Sequence, residues 1–265
     1  MKQLRERVLR STSLFVLTGA GISAESGLPT FRGAGGVWRT HRVEDLASPE
    51  GFARDPALVW GWYNERRNAH AAAVPSAAHF ALAELESRHR DFTLATQNVD
   101  SLHLRAGSRN LIELHGQLRE ARCTGCAARR PLDEPLPLDA IEHECGGRWR
   151  PDIVWFGEPL PPQAWQRAIE AAARADVLLV VGTSGMVHPA ASIATRFAPQ
   201  AYVIEINPET TALSEQVDAS VRARVGRFAG IADPRLGRSR QGDEAGAGGD
   251  EHQRGAGPIQ PAHMG

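Results

Sequence analysis

The chain has 265 residues, 42% of them hydrophobic and 23% charged, which suits one large water-soluble domain or one domain carrying a sizeable insertion. Net charge is -1, so no one-signed field recommends a nucleic-acid or membrane partner. Three cysteines, two of them as Cys123-x-x-Cys126, argue against a disulfide framework. The first twelve residues lack the apolar core of a signal peptide, and no stretch approaches the roughly 20 apolar residues of a membrane span. A reducing cytoplasm is the expected compartment.

In chain order, the start reads as a short amphipathic helix ending near Arg10. Residues 14–18 are an apolar run of the length of a buried parallel strand. Gly19, Ala20 and Gly21 interrupt it, and with Ala24 they fit G-x-G-x-x-G/A. A strand, a glycine turn and a helix start together make a phosphate site, because backbone N–H groups and the helix dipole both favour an anion there. The helical start is soon cut by Gly27, Pro29 and Thr30-Phe31-Arg32, and no acidic residue closes a second strand about 20 residues on. The loop after the turn is therefore expected to do more than hold a pyrophosphate.

Residues 33–74, rich in Trp and Arg, read as a small helical insertion that covers the glycine turn. Ala78, Leu82 and Leu85 recur at helical spacing over 76–88, with Ser76 as the cap. Strands are expected at 92–96 and 111–114, delivering Gln97 to Asp100 and His115 to their C-terminal ends. Between 119 and 150, prolines, charges and all three cysteines gather as in a separate small module. A helix over 162–173, a strand at 177–181, a helix over 189–197 and a strand at 202–206 complete the pattern. Strands alternating with helices predict an α/β, Rossmann-like parallel sheet covered on both faces, with ligands at the strands' C-terminal ends. The domain is expected to end near residue 230. The Gly-, Gln- and charge-rich remainder cannot bury a core and is expected to be disordered.

The run GAGISAESGLPTFR, residues 19–32, resembles the signature of the sirtuins, NAD-dependent protein lysine deacylases. Five further blocks agree in order: Gln97-Asn98-Val99-Asp100, Leu114-His115-Gly116, RPDIVWFGE at 150–158, Gly182-Thr183-Ser184 and Ile206-Asn207-Pro208-Glu209. The resemblance implies chemistry that breaks the nicotinamide–ribose bond of NAD and moves the acyl group of an acyl-lysine onto ADP-ribose. It places Gly19, Ala20, Gly21, Ala24 and Glu25 around the cofactor, with Trp38 beside them. Phe31 becomes a movable shield over the reacting ribose, and Arg32 a phosphate partner. Gln97, Asn98, Val99 and Asp100 hold the nicotinamide ribose and carboxamide, and Gly182, Thr183 and Ser184 bind phosphate or ribose. Asn207, Pro208 and Glu209 meet the adenosine ribose.

His115 is the expected general base. It follows a strand directly, and an imidazole titrates near neutrality. Asn98 assists catalysis, since its amide offers a donor and an acceptor together. Val154, Phe156, Gly157 and Glu158 fall in the segment that, by resemblance, pairs by backbone with the substrate peptide. Tyr63 and Arg66 lie three apart, so on a helix they share a face. Class III sirtuins carry such a pair in the acyl pocket, where Arg binds a carboxylate bidentately and Tyr adds one bond. Succinyl- and malonyl-lysine are the acyl substrates this favours, with acetyl-lysine also possible.

The family's structural zinc uses two cysteine pairs. Here Cys123 and Cys126 supply one, Cys145 supplies half of the other, and Glu142 stands where its partner is expected. His143 or Glu144 is left to complete the set, since zinc accepts nitrogen and oxygen donors as well as sulfur; otherwise the module holds by packing. The stretch SVRARVGRF after Glu209 is basic and poorly patterned where a strand and a closing helix are expected. The reading is a monomeric NAD-dependent deacylase acting on acylated protein lysines. Its alternatives are a protein ADP-ribosyltransferase and an impaired NAD- or ADP-ribose-sensing module.

Overall fold

A computed structural model describes residues 2–30 and 42–228. Phe31, Arg32, Trp38 and the tail from residue 231 lie outside the described residues. Strand β1 (Ser13–Thr18) is hydrogen-bonded in parallel to β2 (Asp91–Thr96) on one side and to β7 (Val177–Val181) on the other. Beyond them lie β3 (Leu111–Glu113), β8 (Tyr202–Asn207) and β9 (Ala219–Arg222), giving the parallel order β3-β2-β1-β7-β8-β9. That is the doubly wound dinucleotide-binding order, with its switch point between β1 and β7.

The sequence makes this sheet through continuous apolar runs whose alternate residues feed two cores. Leu14, Val16, Leu179 and Val181 pack with helix α5 (Ala77–Arg88) and Val8 of α1 (Lys2–Arg10). Phe15, Leu17, Leu178 and Val180 face the other way, toward α7 (Pro162–Arg174) and α8 (Ile193–Arg196). Ser76 caps α5 through a reciprocal capping box with His79.

Between β1 and β2 run α2 (Val43–Leu46), α3 (Pro49–Arg54) and α4 (Pro56–Ala72). Between β3 and β7 lies a three-stranded antiparallel sheet, ordered β5-β4-β6, made of β4 (Gly116–Cys123), β5 (Arg129–Pro131) and β6 (Trp149–Ile153). This module starts before residue 119 and ends after 150, because Gly116 already pairs with Ile153. Helices and ribbon share one core: Val59, Trp60 and Tyr63 of α4 pack with Leu118, Ala121, Trp149 and Trp155. The insertion and the cysteine module are thus one small unit.

The stretch after Glu209 corrects the expectation of a poorly patterned end. Ala219–Arg222 extends the sheet as an edge strand, its residues alternately half-buried and exposed. The cause is Glu205 on β8, fully buried, whose carboxylate accepts from Thr211, Ser214, Ser220 and Arg222. One carboxylate folds the whole return loop around itself. Those donors hold its pKa below the usual range against the opposing effect of burial. A depressed folded-state pKa gives stability that is present above the unfolded pKa and lost as pH falls through the folded one. Glu205→Gln should therefore cost about 2 kcal/mol at pH 7, and its deficit against wild type in urea denaturation should shrink at acid pH. A variant as stable as wild type at pH 7 would contradict this account.

Candidate functional site

The three loops after β1, β2 and β7 meet at the switch point. Gly19 and Gly21 serve a different purpose there from the expected anion cradle. Their N–H groups donate to Val181 O and Gly182 O, at 3.1 and 2.7 Å. A Cβ on Gly21 would sit 2.7 Å from Gly182 O, and one on Gly19 2.7 Å from the Thr183 Cβ. The glycines let two parallel strand ends touch, so neither N–H is left for a phosphate. The segment that follows, Ala20–Ser26, is a 3-10 helix of seven residues, closed by left-handed Gly27. It carries Ala24 and Glu25, and the Glu25 carboxylate accepts from Gly226 N–H, tying the chain's return to this loop.

The loop after β2 is held from beneath. Asn98 is buried, and its Nδ2 donates to Gly19 O and Ser23 Oγ, both at 3.1 Å. Its N–H donates to Thr96 Oγ1. Asp100 is also buried; it accepts from Ser23 Oγ at 2.6 Å and from Leu102 N–H at 3.0 Å. Burial raises its pKa against the pull of those bonds and of Arg66. Ser101 has φ 61°, a left-handed turn that few non-glycine residues adopt. It launches α6 (Leu102–Arg105).

Below this layer, Thr18 donates to Thr96 and contacts His103 Nε2, whose ring lies 4.7 Å from that of His79. Burial keeps both imidazoles neutral at physiological pH. Sequence reasoning missed Ser23, which ties Asn98 to Asp100. Its signal was its place inside the GISAES run.

Ala20, Ser23, Leu28, Pro29, Arg66, His70, Asn98, Val99 and Asp100 line one cleft. Two expected groups, the nicotinamide-side residues and one member of the acyl pair, are therefore brought to the same space. Tyr63, three residues before Arg66 on α4, is buried and accepts from Trp155 Nε1 at 2.9 Å. Burial pushes its pKa up to about 12, so it stays protonated. The Arg66 guanidinium lies over the Trp62 ring at 4.7 Å.

His115 stands where the two units join. Its Nδ1–H donates to Gln97 O at 3.0 Å, which leaves Nε2 as the basic atom, and its carbonyl accepts from Val154 N–H. The next residue, Gly116, has φ 77°, and a Cβ there would collide with Asp152 O. Only glycine lets the chain turn so sharply from one sheet to the other beside His115. Burial lowers the His115 pKa, with the Gln97 carbonyl opposing. The imidazole is therefore neutral, as a proton acceptor must be.

At the far end, Asn207 Nδ2 donates to Thr183 O, and Gln97 Nε2 donates to Thr183 Oγ1 at 3.0 Å. Gly182, Thr183 and Ser184 thus lie between the β2 and β8 loops, while Pro208 and Glu209 are exposed beside them. In the peptide segment, Phe156 is 44% exposed and Gly157 turns with φ 87°. The N–H groups of Val154 and Phe156 point into the protein, to His115 O and Ala47 O. Glu158 uses its side chain for a different purpose. Its carboxylate is taken by Arg150, Arg122 and the Trp155 N–H, so it anchors the segment from inside.

Asn98 and Asp100 thus sit at the switch point of the β3-β2-β1-β7-β8-β9 sheet, and a neutral His115 follows β3, tied to the same loop through Gln97. A profile of the Sir2 family matches residues 19–189. The chain belongs to the Sir2 family. The family's NAD-dependent protein deacylase 2 from Pyrobaculum aerophilum is 53% identical over 214 residues, 80% of this chain and 86% of that one. The NAD-dependent protein deacylase of Thermus thermophilus is 51% identical over 84% of this chain and 89% of its own. A solved Sir2 homologue mutant bound to ADP-ribose superposes with a TM-score of 0.85 at 44% identity, covering 89% of this chain and 96% of that chain. A Sir2 homolog–NAD complex gives 0.82 at 43% identity, covering 89% of this chain and 93% of that chain.

The Sir2 metal question is answered by the ribbon. Cys123, Cys126, His143 and Cys145 bring their ligand atoms within 4.8 Å of one another. Cys123 and Cys145 Sγ are 3.4 Å apart, and Cys126 Sγ is 3.9 Å from His143 Nδ1. Tetrahedral zinc–thiolate geometry sets sulfurs about 3.8 Å apart, so three cysteines and one histidine fit the ion. Of the two candidates for the fourth ligand, His143 is the one in place. Two backbone features make the knuckles: Ala127 at φ 58°, and Gly147, where a Cβ would press on Cys123 Sγ at 2.8 Å.

Two predictions arise here. Elemental analysis should find about one zinc per chain in wild type, and His143→Ala should lose metal and melt earlier; a metal-free wild type of equal stability would remove the ion from the fold. Because His115 is neutral down to a lowered pKa, the acid limb of kcat/KM should lie below pH 6.5 (roughly the free imidazole value). His115→Ala should lower kcat by at least about 100-fold. An acid limb above pH 7 would assign it to another group.

Proposed function

We propose that this chain removes acyl groups from protein lysines with NAD as co-substrate, and that it favours acyl groups ending in a carboxylate, succinyl and malonyl, over acetyl. When bound, NAD supplies the nicotinamide–ribose bond that breaks and the ADP-ribose that takes the acyl group, so the products are nicotinamide and O-acyl-ADP-ribose. The observation that carries the deacylase reading is the pairing of the Ser23–Asn98–Asp100 set with a neutral His115 at one strand edge. The curated relatives, named NAD-dependent protein deacylases, support it.

The residues divide the work. Asn98 and Asp100, fixed by Ser23, orient the nicotinamide side. His115 Nε2 takes a proton from a ribose hydroxyl. Thr183 and Asn207 form the wall toward the adenosine end, and Gln97 links it to the nicotinamide side through its bond to Thr183 Oγ1. The acyl preference rests on Arg66, which lines the cleft beside Asn98 and Asp100. Burial lowers its pKa, but a guanidinium stays charged at neutrality. A cation in a partly desolvated cleft gains most from an anionic acyl end, whereas an acetyl group gives it nothing to bind.

The test is one peptide carrying acetyl-, malonyl- or succinyl-lysine, followed by mass spectrometry with nicotinamide release monitored. The acidic acyl groups should leave faster. Arg66→Met should cut succinyl kcat/KM by about 10- to 100-fold and acetyl turnover far less. Equal losses would remove Arg66 from the acyl pocket. Absence of nicotinamide release from every peptide would overturn the deacylase reading itself.

A further inference from the structure

Tyr63 does not stand alone on α4. Its phenol oxygen accepts from the indole N–H of Trp155, a residue only 2% exposed, in the segment that follows β6. The indole is fixed from several sides. The Arg150 guanidinium lies over it, 3.3 Å from the ring centroid, and Phe52 packs at 5.3 Å. Arg150 is itself gripped by both Glu158 carboxylate oxygens and donates to Ile153 O at 2.8 Å. The same Glu158 carboxylate accepts the Trp155 backbone N–H at 2.8 Å. One buried ion pair thus sets both the backbone and the ring of Trp155.

The chemistry of the pair is one-directional. An indole nitrogen donates and never accepts, whereas a phenol does both. With Trp155 occupying a lone pair, Tyr63 cannot turn its proton toward the indole. Among the described residues, the hydrogen bond that Tyr63 makes through its phenol is the one it accepts from the indole. Tyr63 lies behind Arg66, the cleft-lining residue one turn further along α4 with which it interacts electrostatically, so its phenol can offer the O–H proton to a ligand that reaches Arg66. An anionic oxygen satisfies that donor; a methyl group leaves it unpaired, which costs free energy.

We propose that Trp155, locked by the Arg150–Glu158 pair, is a positioning residue that makes Tyr63 an obligate hydrogen-bond donor to a carboxylate-ended acyl group. Acyl selectivity then depends on the ribbon unit as well as on α4. The inference rests on the acidic-acyl reading above and extends it to residues that lie behind Tyr63.

The test compares kcat/KM for succinyl- and acetyl-lysine peptides in wild type, Trp155→Phe, Tyr63→Phe and the double variant. Trp155→Phe keeps an aromatic ring and deletes the N–H. The succinyl-to-acetyl ratio should fall about five-fold, the worth of one neutral hydrogen bond, through a raised succinyl KM rather than kcat. The double variant should fall no further than Tyr63→Phe alone, since both act through one bond. Arg150→Lys, which leaves the indole in place but loosens it, should shift the ratio in the same direction and serves if Trp155→Phe does not fold. A wild type that prefers acetyl would overturn the acidic-acyl reading and this inference with it. A wild type that prefers succinyl, with an unchanged ratio in folded Trp155→Phe or, failing that, Arg150→Lys, would overturn the inference alone. Additive losses in the double variant would also overturn it.

Discussion

The close approach of two backbone turns governs this molecule. Gly21 and Gly182 follow β1 and β7, and they touch because neither has a side chain. That contact brings the switch point of the sheet to a width that Asn98 can span from the third loop, with its amide on Gly19 O and Ser23 Oγ. Ser23 then fixes Asp100. A single methyl group at Gly21 would force the turns apart and carry Asn98 and Asp100 with them. The glycine motif acts here first as a packing device, and the ligand-facing polar groups depend on the spacing it sets.

The second organising element is the seam at His115. His115 is the last residue before the chain leaves the parallel sheet for the ribbon. Its ring is fixed by Gln97 of one unit and its carbonyl by Val154 of the other. Both the orientation and the lowered pKa of the imidazole follow from its burial at that junction. The core that α4 shares with β4 and β6 makes the ribbon a rigid backing for the helix that lines the cleft, and the three cysteines and His143 sit together at the ribbon's far end.

Much of this was legible in the sequence. The strands at 14–18 and 177–181 announce themselves as unbroken apolar runs, and Ser76 as a cap. Asn98, Asp100 and His115 are legible because short polar motifs directly follow such strands. Other features depend on contacts that no local pattern encodes. β9 is hidden because an edge strand is half exposed and can carry Arg222 and Ser220 without penalty. Glu205 reads as an acidic residue in an apolar strand, and only the folded loop supplies its four partners. The ribbon starts earlier than its composition suggests, since Gly116 pairs with a residue 37 positions away (Ile153). The choice of His143 over Glu144 is decided by which side chain the knuckle turns inward. The Trp155–Tyr63 bond joins residues 92 apart in sequence.

The division of labour between the two units bears on how such a chain can diversify. Asn98 and the His115 ring are held by Gly19, Ser23, Thr96 and Gln97, all from the parallel sheet and the loops that follow its strands. Arg66, which lines the cleft, and Tyr63 behind it belong to an inserted helix packed in the core it shares with the ribbon. Substitutions along one face of α4 can therefore remodel what the cleft admits while the apparatus that handles the dinucleotide stays as it is. The exception is the seam: His115 is braced by Val154 as well as by Gln97, so change that reaches the segment after β6 is felt at the imidazole.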